Sequence, residues 1–218
     1  MDAVTLLRAA YQPLLELADE VDDERGWLPT RLPGWTVRDA LFHLAGDCQR
    51  ALVALGSPTD EPPDTDAVSY WSEWKPGTDG AKAGLRGTRI MASVWTTARG
   101  PAGLFAETGR AVLVIASRTD ASSVVGTQGR RLTVDSLLRT LCVEATVHHL
   151  DLDSVLARRP AAEALAETRR ALDGLLGTPA PASWDDIRYC LVGTGRLPLS
   201  DEERLELGAL SERFPLFG

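Results

Sequence analysis

Residues 133–157 read TVDSLLRTLCVEATVHHLDLDSVLA. Val134, Leu138, Leu141, Ala145, Leu152 and Leu156 recur at steps of three, four or their sum. That spacing lines them along one face of a helix. Thr133 stands ahead of the pattern as an N-cap, so the sequence predicts a helix from there to about Ala157. The same helix carries chemistry. Glu144 and His148 are four residues apart, one turn above each other on one face. On a wheel of about 100° per residue, His148 falls roughly 40° from the centre of the apolar stripe and Glu144 roughly 80° from it, at its edge. A carboxylate near a buried face needs a partner or it takes up a proton. The surrounding LCVEATVHHLDL contains no Lys or Arg. A metal ion is one candidate partner; a partly exposed Glu–His pair is the plainer reading.

The rest of the chain follows the same periodicity. Leu7, Tyr11, Leu14, Ala18 and Val21 predict a first helix from about Ala3 to Asp22, with a kink at Pro13. Thr36, with Asp39 three residues on, caps a second helix whose stripe is Val37, Leu41, Leu44, Cys48, Leu52 and Leu55. Residues 56–80 are rich in Pro, Asp and Gly and read as a long loop carrying Tyr70, Trp71 and Trp74. Residues 81–117 read as helix broken near Gly100-Pro101, and 118–132 as a polar loop. A helix is expected between Pro160 and Gly177. Ser183 with Asp186, and Ser200 with Glu203, are further capping boxes. Gly193-Thr194-Gly195-Arg196 reads as a turn after a helix, since no strand precedes it as a phosphate loop requires. No strand alternation and no internal repeat stand out. The expected fold is all-α: a four-helix bundle over 1–157 and a small helical extension over 158–218.

Composition bounds the function. The chain has 218 residues and a formal charge of −8, which argues against nucleic acid or an anionic membrane surface as partner. Its longest purely apolar run, AVLVIA at 111–116, is far short of a membrane span. The opening MDAVTLLRAAYQ lacks the basic and apolar regions of a signal peptide. Cys48, Cys142 and Cys190 are scattered in apolar surroundings and read as buried thiols of a reducing compartment, so the expected location is the cytoplasm. Only Lys75 and Lys82 are lysines among 23 basic residues, a bias of G+C-rich genomes of the actinobacterial kind.

The chain has three histidines, His43, His148 and His149. His43 lies about 140° from the centre of its stripe, beside Ala40, Asp47, Arg50 and Ala54. That flank is either a solvated surface or a second, polar face lining a cavity, where bundles place metal ligands. His149 points between the two flanks and reads as a packing residue. Asp151, one turn after His148, is placed to hold a ring N–H. Pro33 and Trp35 set the start of the second helix.

Two stretches resemble one known family. LPGWTVRDALFHLAGD, residues 32–47, and GRRLTVDSLLRTLCVEATVHHLDL, residues 129–152, are similar to the two signatures of DinB/YfiT-like metalloenzymes. Within these the chain is identified as a member of the mycothiol-dependent maleylpyruvate isomerase N-terminal domain family. The resemblance covers roughly residues 3–157. It implies a four-helix bundle with one divalent metal held by His43, Glu144 and His148, zinc first, nickel or iron as alternatives. It also implies a low-molecular-weight thiol cofactor, often mycothiol in actinobacteria, that binds the metal as thiolate and attacks an electrophilic metabolite. Arg50, Arg130 and Arg131 are the candidates to hold a carboxylate of that thiol.

Addition with bond rotation and expulsion gives an isomerase, and addition alone a transferase. Metal-bound hydroxide gives a hydrolase instead. A non-catalytic metal- or ligand-binding protein is the remaining class. Maleylpyruvate isomerase carries a larger C-terminal domain that contributes to its active site, so its residues there do not transfer to this tail. The expected partners are a small-molecule electrophile and the thiol, with the chain a monomer or homodimer.

Overall fold

The structure, a computed structural model, describes residues 1–156 and 158–218, and of residues 153–156 the backbone alone. Ala157, the expected end of the bundle, and the side chain of Leu156, expected in its stripe, lie outside the described residues. The chain is mostly helical. It runs α1 (Ala3–Glu20), α2 (Asp23–Gly26), α3 (Val37–Leu55), β1 (Pro58–Thr59), a 3-10 turn (Ser69–Glu73), α4 (Asp79–Ala92) and α5 (Arg99–Ala116). Then follow β2 (Val124–Thr127), β3 (Arg130–Thr133), α6 (Val134–Leu156), α7 (Ala162–Leu176), α8 (Asp186–Gly193), α9 (Asp201–Leu207) and a second 3-10 turn (Gly208–Arg213).

The four long helices of the first part pack pairwise: α1 on α5 and α6, and α3 on α5 and α6. Their stripes meet in one apolar core. Leu7, Tyr11, Leu14, Ala18 and Val21 are buried there, with Val37, Leu41, Leu44, Cys48 and Leu55 of α3 and Leu138, Leu141, Ala145 and Leu152 of α6. Phe105 of α5 meets the Tyr11 ring edge-on at 5.9 Å. A second core forms behind α6. Val143, Val147 and Leu150 pack there with Leu165, Leu172 and Leu176 of α7, Tyr189 and Leu191 of α8, and Trp71 and Phe217. Helix α6 is therefore apolar on two flanks, as a helix buried between layers must be.

The all-α expectation is corrected by a small antiparallel sheet of order β1-β2-β3. Residues 118–132, read as a polar loop, contain most of it. Val125 pairs with Leu132, and Thr127 with Arg130. Gln128 (φ 50°) and Gly129 (φ 74°) both take positive φ, the conformation that suits a two-residue hairpin turn to the twist of its strands. Val125 and Leu132 are buried in the first core. The strands are too short for their alternation to stand out from the arginines between them. The hairpin sets the start of α6: the Val134 N–H donates to Ser123 O at 2.8 Å, and Thr133 Oγ1 accepts from the Ser136 N–H at 3.2 Å.

Three boundaries differ from expectation. The break in 81–117 falls at 93–98, and Gly100-Pro101 lies inside the first turn of α5, where the missing proline N–H costs nothing. Gly100 serves close packing there: a Cβ on it would stand 2.1 Å from the Trp95 ring. Second, the first helix ends at Glu20, and Asp22 caps α2 by accepting from the Arg25 N–H at 2.8 Å. Third, Ser183 is no cap: Asp185 caps α8, accepting from the Arg188 N–H at 3.0 Å, while Ser183 Oγ donates to Glu206 at 3.3 Å. The loop 56–80 also holds β1 and a 3-10 turn. The other box is present. Glu203 Oε2 accepts from the Ser200 N–H at 2.7 Å, and Ser200 Oγ accepts from the Glu203 N–H at 3.2 Å. Ser200→Ala is expected to cost about 1 kcal/mol, read as a lower urea midpoint; an unchanged midpoint would show that the cap carries no weight.

Candidate metal centre

His43 reaches the site from α3, whose start is fixed by the residues before it. Leu32 O accepts from the Trp35 N–H at 3.1 Å across Pro33-Gly34. Gly34 takes φ 80°, so LPGW forms the turn that favours proline then glycine at its centre. Asp39 Oδ2 then accepts from the Thr36 N–H at 2.9 Å and from Thr36 Oγ1 at 3.1 Å. The buried Arg38 guanidinium donates to Asp39 at 2.7 Å and covers the Trp27 ring at 4.3 Å.

Trp35, expected as a structural residue, does more. It is buried and donates Nε1–H to Leu85 O at 3.1 Å. Its ring stacks on His148 at 5.8 Å and tilts against His43 at 5.2 Å. One wall of the site is therefore indole.

Glu144 and His148 enter from α6. The structure brings His43, Glu144 and His148 together, with one ligand atom of each within 4.8 Å of the others. His43 Nε2 lies 3.0 Å from Glu144 Oε1, and His148 Nε2 lies 3.3 Å from the same oxygen. Side-chain exposure is 26% for His43 and 25% for Glu144 against 7% for His148. The cluster thus opens on the His43–Glu144 side and is closed behind His148.

Burial alone would raise the Glu144 carboxyl, but hydrogen bonds to His148 and His43 outweigh it and hold it well below the usual carboxylate range. Burial opposes charge on His148 too, yet Asp151 and Glu144 lift it to about 9.

Asp151 fills the role read for it, with Oδ2 3.0 Å from His148 Nδ1. Its side chain is fully buried, and Arg196 lies against both its oxygens, at 3.2 and 3.1 Å. Burial pushes the Asp151 carboxyl up, but Arg196 and His148 outweigh it and hold it below its ordinary value. The sequence carried no signal for Arg196, which is 45 residues away.

Asp47 is a second residue that sequence reasoning left unassigned. Its Oδ2 is buried without a hydrogen-bond partner among the described residues, 3.2 Å from His43 Nε2 but out of hydrogen-bond alignment. Burial first, then the Glu144 charge, raises its carboxyl, with His43 opposing. The signal was present: Asp47 follows His43 by four residues, the spacing that linked Glu144 to His148.

The other candidates sit as follows. Arg50 is exposed on α3, and its charge is felt by Asp47 and Tyr70. Arg130 pairs with Glu73. Arg131 pairs with Glu61 at 3.0 Å and donates to Pro62 O at 2.9 Å. Both thus tie the 56–80 segment to the hairpin. Within that segment Tyr70 donates to Gln128 Oε1 at 3.0 Å. Burial raises its phenol, and the charges of Glu144 and Asp47 add to this. Trp71 is buried against Phe217 at 4.6 Å, whereas Trp74 is 45% exposed.

Cys48, Cys142 and Cys190 are buried free thiols. Cys142 Sγ lies 3.7 Å from Leu6 O, turned toward α1 and not a ligand. His149 is buried and outside the cluster, and burial drops its pKa to about 4. An open groove between α1 and α5, lined by Arg8, Gln12, Glu16 and Arg110 among others, shares no residue with the cluster. Among the described residues no helix is long and apolar enough to cross a membrane.

Two imidazoles and one carboxylate, with an open side, are a donor set that could hold a divalent metal ion. The buried Asp47 oxygen beside them, without a hydrogen-bond partner among the described residues, adds negative charge that a cation would balance. The family described as the mycothiol maleylpyruvate isomerase N-terminal domain matches the chain over residues 7–153. No curated protein and no solved structure matches it.

Proposed function

The chain belongs to the mycothiol maleylpyruvate isomerase N-terminal domain family, of DinB/YfiT-like type, and from that membership we propose that it is a divalent-metal enzyme that joins a low-molecular-weight thiol to a small electrophilic metabolite or isomerises it. The observation that carries this reading is the convergence of His43, Glu144 and His148 within 4.8 Å, open on one side. In this reading α1, α3, α5 and α6 form the family's four-helix bundle over residues 1–157, with 158–218 as a helical extension. His43 Nε2, Glu144 and His148 Nε2 hold the cation, zinc before nickel or iron. When bound, it supplies Lewis acidity that lowers the pKa of a thiol or water toward neutrality.

The residues around it have separate tasks. Glu144 stays ionised between the two imidazoles and is ready to ligate. Trp35 excludes water from the His148 side, which leaves the exposed His43–Glu144 side for thiol and substrate. Arg50 is the arginine best placed to meet a thiol carboxylate, since Arg130 and Arg131 must first release Glu73, Glu61 and Asp64. The reaction is placed in a reducing cytoplasm, on a small molecule, with mycothiol as the first thiol to test.

Zinc is expected to stabilise the protein. At a thousand times its dissociation constant it should add about 4 kcal/mol, raising the melting temperature on the order of 10 °C for a chain of this size. A melting curve insensitive to zinc, cobalt and nickel would remove the metal from the proposal. Turnover of electrophilic substrates with and without mycothiol tests the reaction. A rate that depends on thiol is expected, and an equal rate without any thiol would make the protein a hydrolase.

A further inference from the structure

Arg196 belongs to the turn after α8, beyond the span 7–153 that matches the family. That turn, Thr194-Gly195-Arg196, is held by hydrogen bonds of its own. Gly195 takes φ 73°, the Arg196 N–H donates to Leu191 O at 2.8 Å, and Nη1 donates to Thr194 O at 3.0 Å. The other two nitrogens face inward. Nε is 3.2 Å from Asp151 Oδ1 and Nη2 is 3.1 Å from Oδ2, the two-point contact that only a guanidinium makes. The Asp151 side chain is 0% exposed and that of Arg196 9%, so water does not compete. Asp151 Oδ2 is 3.0 Å from His148 Nδ1, and the opposite nitrogen of that ring faces Glu144 at 3.3 Å.

We propose that Arg196 is a positioning residue for the metal centre: its guanidinium fixes Asp151 against His148 Nδ1, so that the ring presents Nε2 to the cation. This rests on the metal reading above. The argument is geometric. An imidazole bound through one nitrogen is oriented by the hydrogen bond made at the other. A carboxylate can supply that bond only if it is itself held. Asp151 sits at the interface of α6 with the extension, and the arginine that grips it comes from the extension. Without the guanidinium the buried carboxylate loses its two-point hold, and the His148 ring, stacked on Trp35 at 5.8 Å, loses the bond that sets its orientation. The extension therefore builds the site from behind and does not merely cover it.

Arg196→Met keeps the aliphatic length and removes the guanidinium. Arg196→Lys restores a charge without the two-point contact. Arg188→Met is the control: it breaks the Arg188–Glu203 pair at 2.6 Å and the bond to Pro198 O at 2.9 Å inside the extension, and Arg188 has no bond to His148, Asp151 or Arg196 among the described residues. Zinc and cobalt affinities by chelator competition, and the visible spectrum of the cobalt-loaded protein, are the readouts. Arg196→Met should weaken zinc about 10- to 100-fold and change the cobalt bands. Arg196→Lys should fall between it and the wild type, and Arg188→Met should keep wild-type affinity and spectrum.

An Arg196→Met protein with wild-type affinity and spectrum overturns the proposal, as does an equal loss in Arg188→Met. Should Arg196→Met fail to fold, Arg196→Lys decides, with wild-type affinity and an unchanged spectrum overturning it. A wild-type protein that binds neither zinc nor cobalt sinks the metal reading itself. Binding by the wild type with no change in Arg196→Met sinks only the role of Arg196.

Discussion

His148→Ala is expected to fold and to lose zinc. His148 supplies Nε2 to the cluster and, through Nδ1, the link to Asp151. Its removal leaves two protein donors, His43 and Glu144, on the more exposed side of the site. Zinc binding by small protein sites is worth about 10–16 kcal/mol in all. Divided over four ligands that is roughly 3 kcal/mol each, a loss of more than about a hundredfold in affinity. The zinc-induced rise in melting temperature should vanish with it. His149→Ala is the matched control. It too removes a buried imidazole from α6, but one outside the cluster. It should lower stability and leave zinc stoichiometry at one. Full zinc content in His148→Ala, or equal zinc loss in both variants, would show that the three converging side chains are an ordinary hydrogen-bonded cluster.

What could be read from the sequence was local, and what escaped was not. The stripes of α1 and α3 were legible because each helix buries one face only. The second flank of α6, Val143, Val147 and Leu150, was not singled out: a helix apolar on two sides has no contrast to read. The hairpin was missed because four-residue strands give two alternations at most, and its turn uses Gln-Gly in place of the Asn-Gly that signals one. Gly100-Pro101 was read as a break because both residues end helices as readily as they begin them. In the site, Glu144 with His148 and Asp151 follow from i,i+4 and i,i+3 spacing. His43 lies on a polar flank and drew its metal role from family resemblance. Asp47 had the right spacing, but the partner residue it needed was itself unplaced. Arg196 depends on how α8 docks on α6, which no local pattern encodes.

Removing residues 158–218 is expected to abolish cooperative folding. The segment looks like an appendage in sequence, yet α6 is packed from both sides. Without it Val143, Val147 and Leu150 meet water. Trp71 does so too, because Phe217 covers it at 4.6 Å, and Lys75 Nζ and Trp74 O lose their bonds to Leu216 O and the Gly218 N–H. Exposing a buried Val, Leu or larger side chain costs about 1.5–3 kcal/mol. Four of them amount to roughly 6–12 kcal/mol, which matches the whole stability of an ordinary domain, about 5–15 kcal/mol. The Arg196–Asp151 contact goes as well, so the metal cannot offset the loss by tight binding. The truncated chain should show helical circular dichroism without a sharp thermal transition, bind a dye for exposed apolar surface, and fail to take up one equivalent of zinc. A cooperative melt within about 5 °C of the full chain, roughly 1–3 kcal/mol at this size, together with full zinc affinity, would overturn this. In that case α6 would need only its first core, and the site would be built by residues 1–157 alone.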